Sequence, residues 1–415
     1  MYGANAWMIG RLEPIVTDGF IFCSLYKVCF LILRRENMQK SLSLILNQDN
    51  IITVCDILNN LISHQTDNNN EHHNKCLQYI EEYVLKVSPQ SIIKYIDTNG
   101  KNNLIIGINV EKLENIDKGL MLCGHIDVVS GKLEQFCMKV QDGKIYGRGS
   151  SDMKGAIACF LDLIPFFNTS KTPVIIALTC DEETDMQGIK DVCFFLKQNK
   201  IYPQITILGE PTKNMLGLQS SGIESYNTTI YGKSAHSSQP KQGINALFVA
   251  AKLLNEMEIM TNKMCEHELY LNVGKINGGD NLALIPDKVE IEWGFRYVHN
   301  EDKCKVLSLY DSVIEKIKKE YNGSKLSTKS TCTFLGYTAN KLELCDLICN
   351  KLNIQTKKLY YTSEAGYLSE CGQMVYILGP GNIKQAHTDN EYIQLSDLIT
   401  YEQLLMKLVD YCSNQ

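Results

Sequence analysis

TPVIIALTCDEETDMQGIK (Thr172–Lys190) decides how this chain is read. Its first half is apolar through Cys180 without polar alternation, the mark of a strand covered on both faces. It then meets Asp181, Glu182 and Glu183, and from Met186 the spacing becomes that of an amphipathic helix. A buried strand feeding a helix is half of a parallel-sheet unit. Three carboxylates crowded at the mouth of such a strand repel one another and lose hydration. Bound cations or a functional shift in protonation must offset that cost.

Three further runs share the design: KGLMLCGHIDVV (Lys118–Val129), ITILGEPT (Ile205–Thr212) and QMVYILGPGNIKQAH (Gln373–His387). Each leads to a polar group: His125 and Asp127, Glu210, and His387 respectively. Helical patterns lie between the runs, in DMKGAIACFLDLIPFF (Asp152–Phe167) and MQGIKDVCFFLKQNK (Met186–Lys200). The expected fold is α/β, a mostly parallel sheet with helices on both faces. In open sheets of that kind functional groups gather beyond the carboxyl ends of the strands. Residues 222–328 read differently, as half-exposed alternating strands with helices to one side. They are expected to form an inserted α+β lid, and residues 38–221 and 329–415 the catalytic domain.

Bulk properties narrow the function. A chain of 415 residues is long for one domain, and its net charge of −6 disfavours nucleic acid as a partner. Its 16 cysteines are scattered with no CxxC pair, which reads as reduced thiols in a cytoplasmic protein. GFIFCSLYKVCFLIL (Gly19–Leu33) falls short of the roughly 20 residues a membrane span needs, and no cleavage site follows it. Residues 1–37 are therefore expected to be an extension outside the folded protein, and no membrane association is expected. HQTDNNNEHHNK (His64–Lys75) reads as a polar loop with His72 and His73 in solvent.

The chemistry-bearing residues are few. Asp127 follows His125 at i+2, so on a strand the carboxylate can orient the imidazole as a ligand. Asp152 opens a helix and suits either an N-cap or a carboxylate bridging two cations. Adjacent Glu182 and Glu183 point in different directions, so one can bind a metal while the other accepts a proton. With Glu210 and His387 the set is mixed nitrogen and oxygen with open positions, which fits catalytic zinc or a co-catalytic pair. YGKS (Tyr231–Ser234) is no phosphate loop, because Asn227 stands where that motif needs glycine.

In order along the chain stand GHIDVV, GRGSSDMKG, DEETDMQG, LGEPT, GKSAHSSQPKQGINA and QAHTDNEY. Over about residues 40–412 this series resembles the M20-type dinuclear zinc amidohydrolases and peptidases, which include acetylornithine deacetylase, succinyl-diaminopimelate desuccinylase and aminoacylase. The resemblance implies that His125 and Glu210 hold one zinc and Glu183 and His387 the other, with Asp152 bridging. It implies Asp127 as the residue orienting His125, Glu182 as general base, and cobalt as a substitute metal. It also implies a homodimer in which His236 reaches the partner's site and stabilises the oxyanion. Asn281 and Arg296 would contact substrate from the lid. The segment YYTSEAGYLSECG (Tyr360–Gly372) resembles the acetylornithine deacetylase pattern with Ser363 added beside Glu364, which would meet a cationic side chain. The expected reaction is hydrolysis of an N-acyl amino acid, N-acetyl-L-ornithine first, with a succinyl-diaminopimelate desuccinylase, an aminoacylase or a dipeptidase as alternatives and a catalytically silent amino-acid-binding relative as the rival from another class.

Overall fold

The computed structural model describes residues 16–17, 20–21, 48–67, 69–264, 269–339 and 342–414. The expectation for residues 1–37 lies outside them, apart from a short ladder between Val16–Thr17 and Phe20–Ile21. Among the described residues no helix is long and apolar enough to cross a membrane.

Helices Gln48–Ser63 (α1) and Asn70–Val87 (α2) precede a hairpin of Ile92–Thr98 (β1) and Lys101–Ile108 (β2). The catalytic units follow: Leu120–His125 (β3), Lys154–Asp162 (α3), Val174–Thr179 (β4), Gln187–Gln198 (α4), Ile205–Leu208 (β5) and Leu216–Ser220 (β6). The chain then leaves for Gly222–Tyr231 (β7), Ala246–Met264 (α5), Tyr270–Gly278 (β8), Lys288–Tyr297 (β9), Asn300–Glu320 (α6) and Lys325–Phe334 (β10). It returns through Tyr337–Thr338 (β11), Leu342–Leu352 (α7), Thr356–Lys358 (β12), Ala365–Glu370 (α8), Val375–Ile377 (β13) and Leu395–Ser413 (α9).

The main sheet runs β11-β6-β13-β5-β3-β4-β2-β1, with β12 beside β6. Its centre, β13-β5-β3-β4, is parallel, and every residue of these strands is buried. The flanks join this core antiparallel, with β12 parallel to β6 at one edge, so the sheet is mixed around a parallel core. The β1–β2 turn explains one flank: Asn99 and Gly100 both have positive φ (51° and 84°), the Asn-Gly pairing that closes a two-residue hairpin. From β3 the chain steps outward to β4 and then back past β3 to β5. Right-handed crossovers in opposite directions put α3 and α4 on opposite faces and leave a switch point beside β3.

The insertion is a four-stranded antiparallel sheet in the order β8-β9-β7-β10, packed on one face by α5 and α6. Burial alternates along β7 and β9 as a half-covered sheet requires. Trp293 stacks on Tyr226 at 4.9 Å inside this second core. The expected boundary at residue 328 falls inside β10; the lid sheet runs on to Phe334 because β10 stays paired with β7 through Ile223. The expected polar loop at 64–75 also needs correction. Asn69 caps α2 by accepting from the His72 amide, so the helix starts at Asn70. His73 is buried, with Nε2 at 2.8 Å from the Asn102 carbonyl.

Candidate metal centre and substrate pocket

Four parallel strand ends converge at the switch point. β3 ends in His125, whose Nδ1 lies 2.9 Å from the Asp127 carbonyl oxygen, leaving Nε2 toward the site. The Asp127 backbone thus meets the imidazole, while its carboxylate sits 3.8 Å away and accepts from the Glu183 amide at 3.0 Å. Asp127 joins the first strand end to the second.

Asp152 enters through the loop before α3. That loop is held by Glu391, whose carboxylate accepts from the amides of Gly149 (3.0 Å), Ser151 (3.0 Å) and Asp152 (3.1 Å) and from Arg148 Nη1 at 2.8 Å. The Asp152 side chain caps no helix. Its Oδ1 lies 3.3 Å from His125 Nε2 and its Oδ2 3.5 Å from His387 Nε2. Close approach of this loop depends on glycine: a Cβ on Gly124 would stand 2.3 Å from Met153 Cε, and one on Gly209 2.7 Å from the same atom.

The three carboxylates after β4 separate by partner. Asp181 turns away at φ 62° and pairs with Lys101 at 2.5 Å. Glu183 Oε1 lies 3.0 Å from His387 Nε2. Glu182 lines the pocket beside Asp152 and Glu210. Glu210, after β5, is buried, its Oε1 4.0 Å from His125 Nε2 and without a hydrogen-bond partner.

Ligand atoms of His125, Asp152 and Glu210 fall within 4.8 Å of one another, and so do those of Asp152, Glu183 and His387. Two triads share Asp152. The donors are imidazole nitrogen and carboxylate oxygen, and an orphaned buried carboxylate oxygen is what a cation site leaves when only protein atoms are counted. The set fits a pair of divalent cations. Hydrogen bonds donated to the Asp152 and Glu183 carboxylates hold the His387 imidazolium up to about 10. Burial, reinforced by neighbouring carboxylates, pushes Glu182 and Glu210 well above the usual carboxylate range. Burial acts in the same sense on Asp152, but hydrogen bonds from His125 and His387 hold it low.

The triads open into a cavity of about 390 Å³ between the sheet and the lid. Arg296 enters it from β9, and its Nη1 donates to Thr362 Oγ1 at 3.1 Å. Ile223, Phe334, Tyr361, Met186 and Ile383 also line it. Three expected residues stand elsewhere. Glu364 does not line the cavity: it is wholly buried at the start of α8, where burial pushes its carboxyl up to about 7. The Tyr361–Thr362 pair takes the pocket edge, and Ser363 ties inward to Ser220 Oγ at 3.0 Å. Asn281 is exposed and accepts from the Ala283 amide at 2.9 Å. His236 is exposed on the lid, its Nδ1 2.8 Å from Ser238 Oγ, outside its own chain's cavity. Sequence reasoning passed over Arg148 and Glu391, whose only sequence signal is their place inside two quoted motifs.

Fold and site define a dinuclear-type metallohydrolase architecture, and the comparisons agree. Residues 121–411 match the model of peptidase family M20/M25/M40, and the chain belongs to that family. An acetylornithine deacetylase of Photorhabdus laumondii is 29% identical over 333 residues, covering 76% of this chain and 84% of the relative. One from Buchnera aphidicola is 27% identical over 335 residues, covering 74% and 87%. Among solved structures, a Staphylococcus aureus tripeptidase superposes with a TM-score of 0.72 at 20% identity, covering 88% of this chain and 99% of that one. A Bacillus subtilis dinuclear metal-binding peptidase of the M20 family does so at 0.66 and 15% identity, covering 88% and 98%. At those identities the structures speak for the fold.

Proposed function

We propose that this protein hydrolyses the amide bond of an N-acyl amino acid using two zinc ions held by the two triads. The observation that carries the reading is Glu182, placed beside two donor sets that share one carboxylate. Bound zinc supplies Lewis-acid polarisation of the carbonyl and acidification of water. Asp152 fixes the spacing of the two sets, and Glu182 takes a proton from water and returns it to the departing amine. Arg296 pairs with the carboxylate of the amino-acid half, braced by Thr362. His125 is kept in the tautomer that frees Nε2 by the Asp127 carbonyl.

The curated relatives nominate N-acetyl-L-ornithine, giving L-ornithine and acetate, as a first substrate, with a place in arginine biosynthesis. The pocket supports the amide and carboxylate of that molecule. It gives no support for its ammonium, since Glu364 is wholly buried and does not line the cavity. Because His236 stays outside its own pocket, the same proposal has it act across a homodimer on the partner's oxyanion. A cytoplasmic setting belongs to the proposal too, supported by the absence of any disulfide among the described residues. The test is chelator-sensitive hydrolysis of N-acetyl amino acids by zinc-loaded protein. A zinc-loaded enzyme inert to N-acetyl, N-succinyl and dipeptide substrates alike contradicts the reading.

A further inference from the structure

We infer that the amino acid on the amine side of the scissile bond carries an uncharged, apolar side chain, seated on a row of lid residues beside Arg296. The inference rests on the amide-hydrolase reading above and, within it, sets an apolar residue in place of the ornithine that the relatives nominate. Ile223 on β7 is directly paired with Arg296 on β9 and, across its other edge, with Phe334 on β10. Directly opposed residues of antiparallel strands put their side chains on one face. Arg296, Ile223 and Phe334 therefore form a row across three strands, and all three line the metal pocket.

The row is unusual for its place. On β7 the face that carries Ile223 continues with Ser225, Asn227 and Thr229, the polar side of a half-covered sheet. Ile223 is the residue of it that meets the pocket, and exposed Tyr231 stands at the far end. Strands lie about 4.7–4.9 Å apart, so Ile223 stands one spacing from Arg296 and Phe334 two. An amino acid whose carboxylate sits on Arg296 lays its side chain over Ile223, and a longer one reaches Phe334. Met186 and Ile383 add apolar lining.

Acid for an ammonium is already committed. The carboxylates lining the cavity among the described residues are Asp152, Glu182, Glu183 and Glu210, the metal donors and the base. An ammonium laid along the row would lose hydration against Ile223 and Phe334 without a counter-charge of its own.

The experiment compares kcat/KM of the zinc-loaded, full-length enzyme for N-acetyl and N-glycyl derivatives of L-leucine and of L-ornithine. The leucine derivative is expected to lead by about tenfold or more in whichever series is turned over. Ile223→Asp should erase that lead, lowering kcat/KM for leucine about tenfold through KM and lowering KM for ornithine. Equal or better turnover of the ornithine compounds by wild type overturns the inference and leaves the hydrolase reading standing. Turnover of none of the four, with zinc bound, overturns the inference, and inertness to the N-succinyl derivatives as well overturns the hydrolase reading.

Discussion

Asp181, Glu182 and Glu183 are neighbours in the chain with separate partners: a lysine, the open pocket and a histidine. Glu182→Gln keeps the shape and removes the base. It is expected to retain two zinc ions by elemental analysis while kcat falls about a hundredfold to ten-thousandfold. Glu391 touches neither substrate nor donor atom, yet it holds the loop that carries Asp152 and, through Arg148, the stretch after His387. Glu391→Ala should weaken zinc binding about 10–100-fold in chelator competition, as loss of a ligand's support does elsewhere. Proton linkage gives a further check. Metal-free His387 keeps its proton up to about 10, and zinc requires the neutral ring. Zinc uptake at neutral pH should therefore release protons, with affinity falling as pH falls, measurable by calorimetry in buffers of different ionisation enthalpy.

Between elements, α3 and α9 are packed together, and Asp162 of α3 meets Glu402 of α9 away from the pocket. Burial pushes Glu402 up to about 9 and Asp162 up to about 6. The folded pair holds a proton that the unfolded chain, with glutamate near 4.5, releases. The folded state binds more protons across that window, so this pair's contribution to stability declines as pH rises from about 4.5 to about 9. Glu402→Gln should flatten that decline in Tm-against-pH scans. Apolar runs made the central strands legible in the sequence, because a strand covered on both faces has no polar alternation to disguise it. The hairpin at Asn99–Gly100 is equally legible, as an Asn-Gly pair between two strand-like runs. The start of α2 turned on one capping residue, Asn69, within a run of polar residues that composition alone reads as loop.

For the molecule as a whole, donor residues could be read from short motifs because His125, Glu183 and Glu210 stand at or just beyond the ends of their own apolar strands, while Asp152 and His387 lie in loops marked by their own motifs. Support contacts could not: Glu391 and Asp152 are far apart in sequence and meet only when the chain has closed. The same limit hid the burial of Glu364, since a motif does not say which of Tyr361, Thr362 and Glu364 faces the pocket. Zinc that binds only the folded chain should also stabilise it, by about 2.7 kcal/mol at a free concentration a hundred times Kd. Removing it with a chelator should lower Tm, and restoring it should reverse the loss. The most direct test of the central claim is a zinc titration of metal-free protein, following acetate release from an N-acetyl amino acid at each step. The structure predicts no turnover at zero zinc and a rise that ends at two ions per chain. Full turnover without metal, or saturation of binding with no hydrolysis, would contradict it.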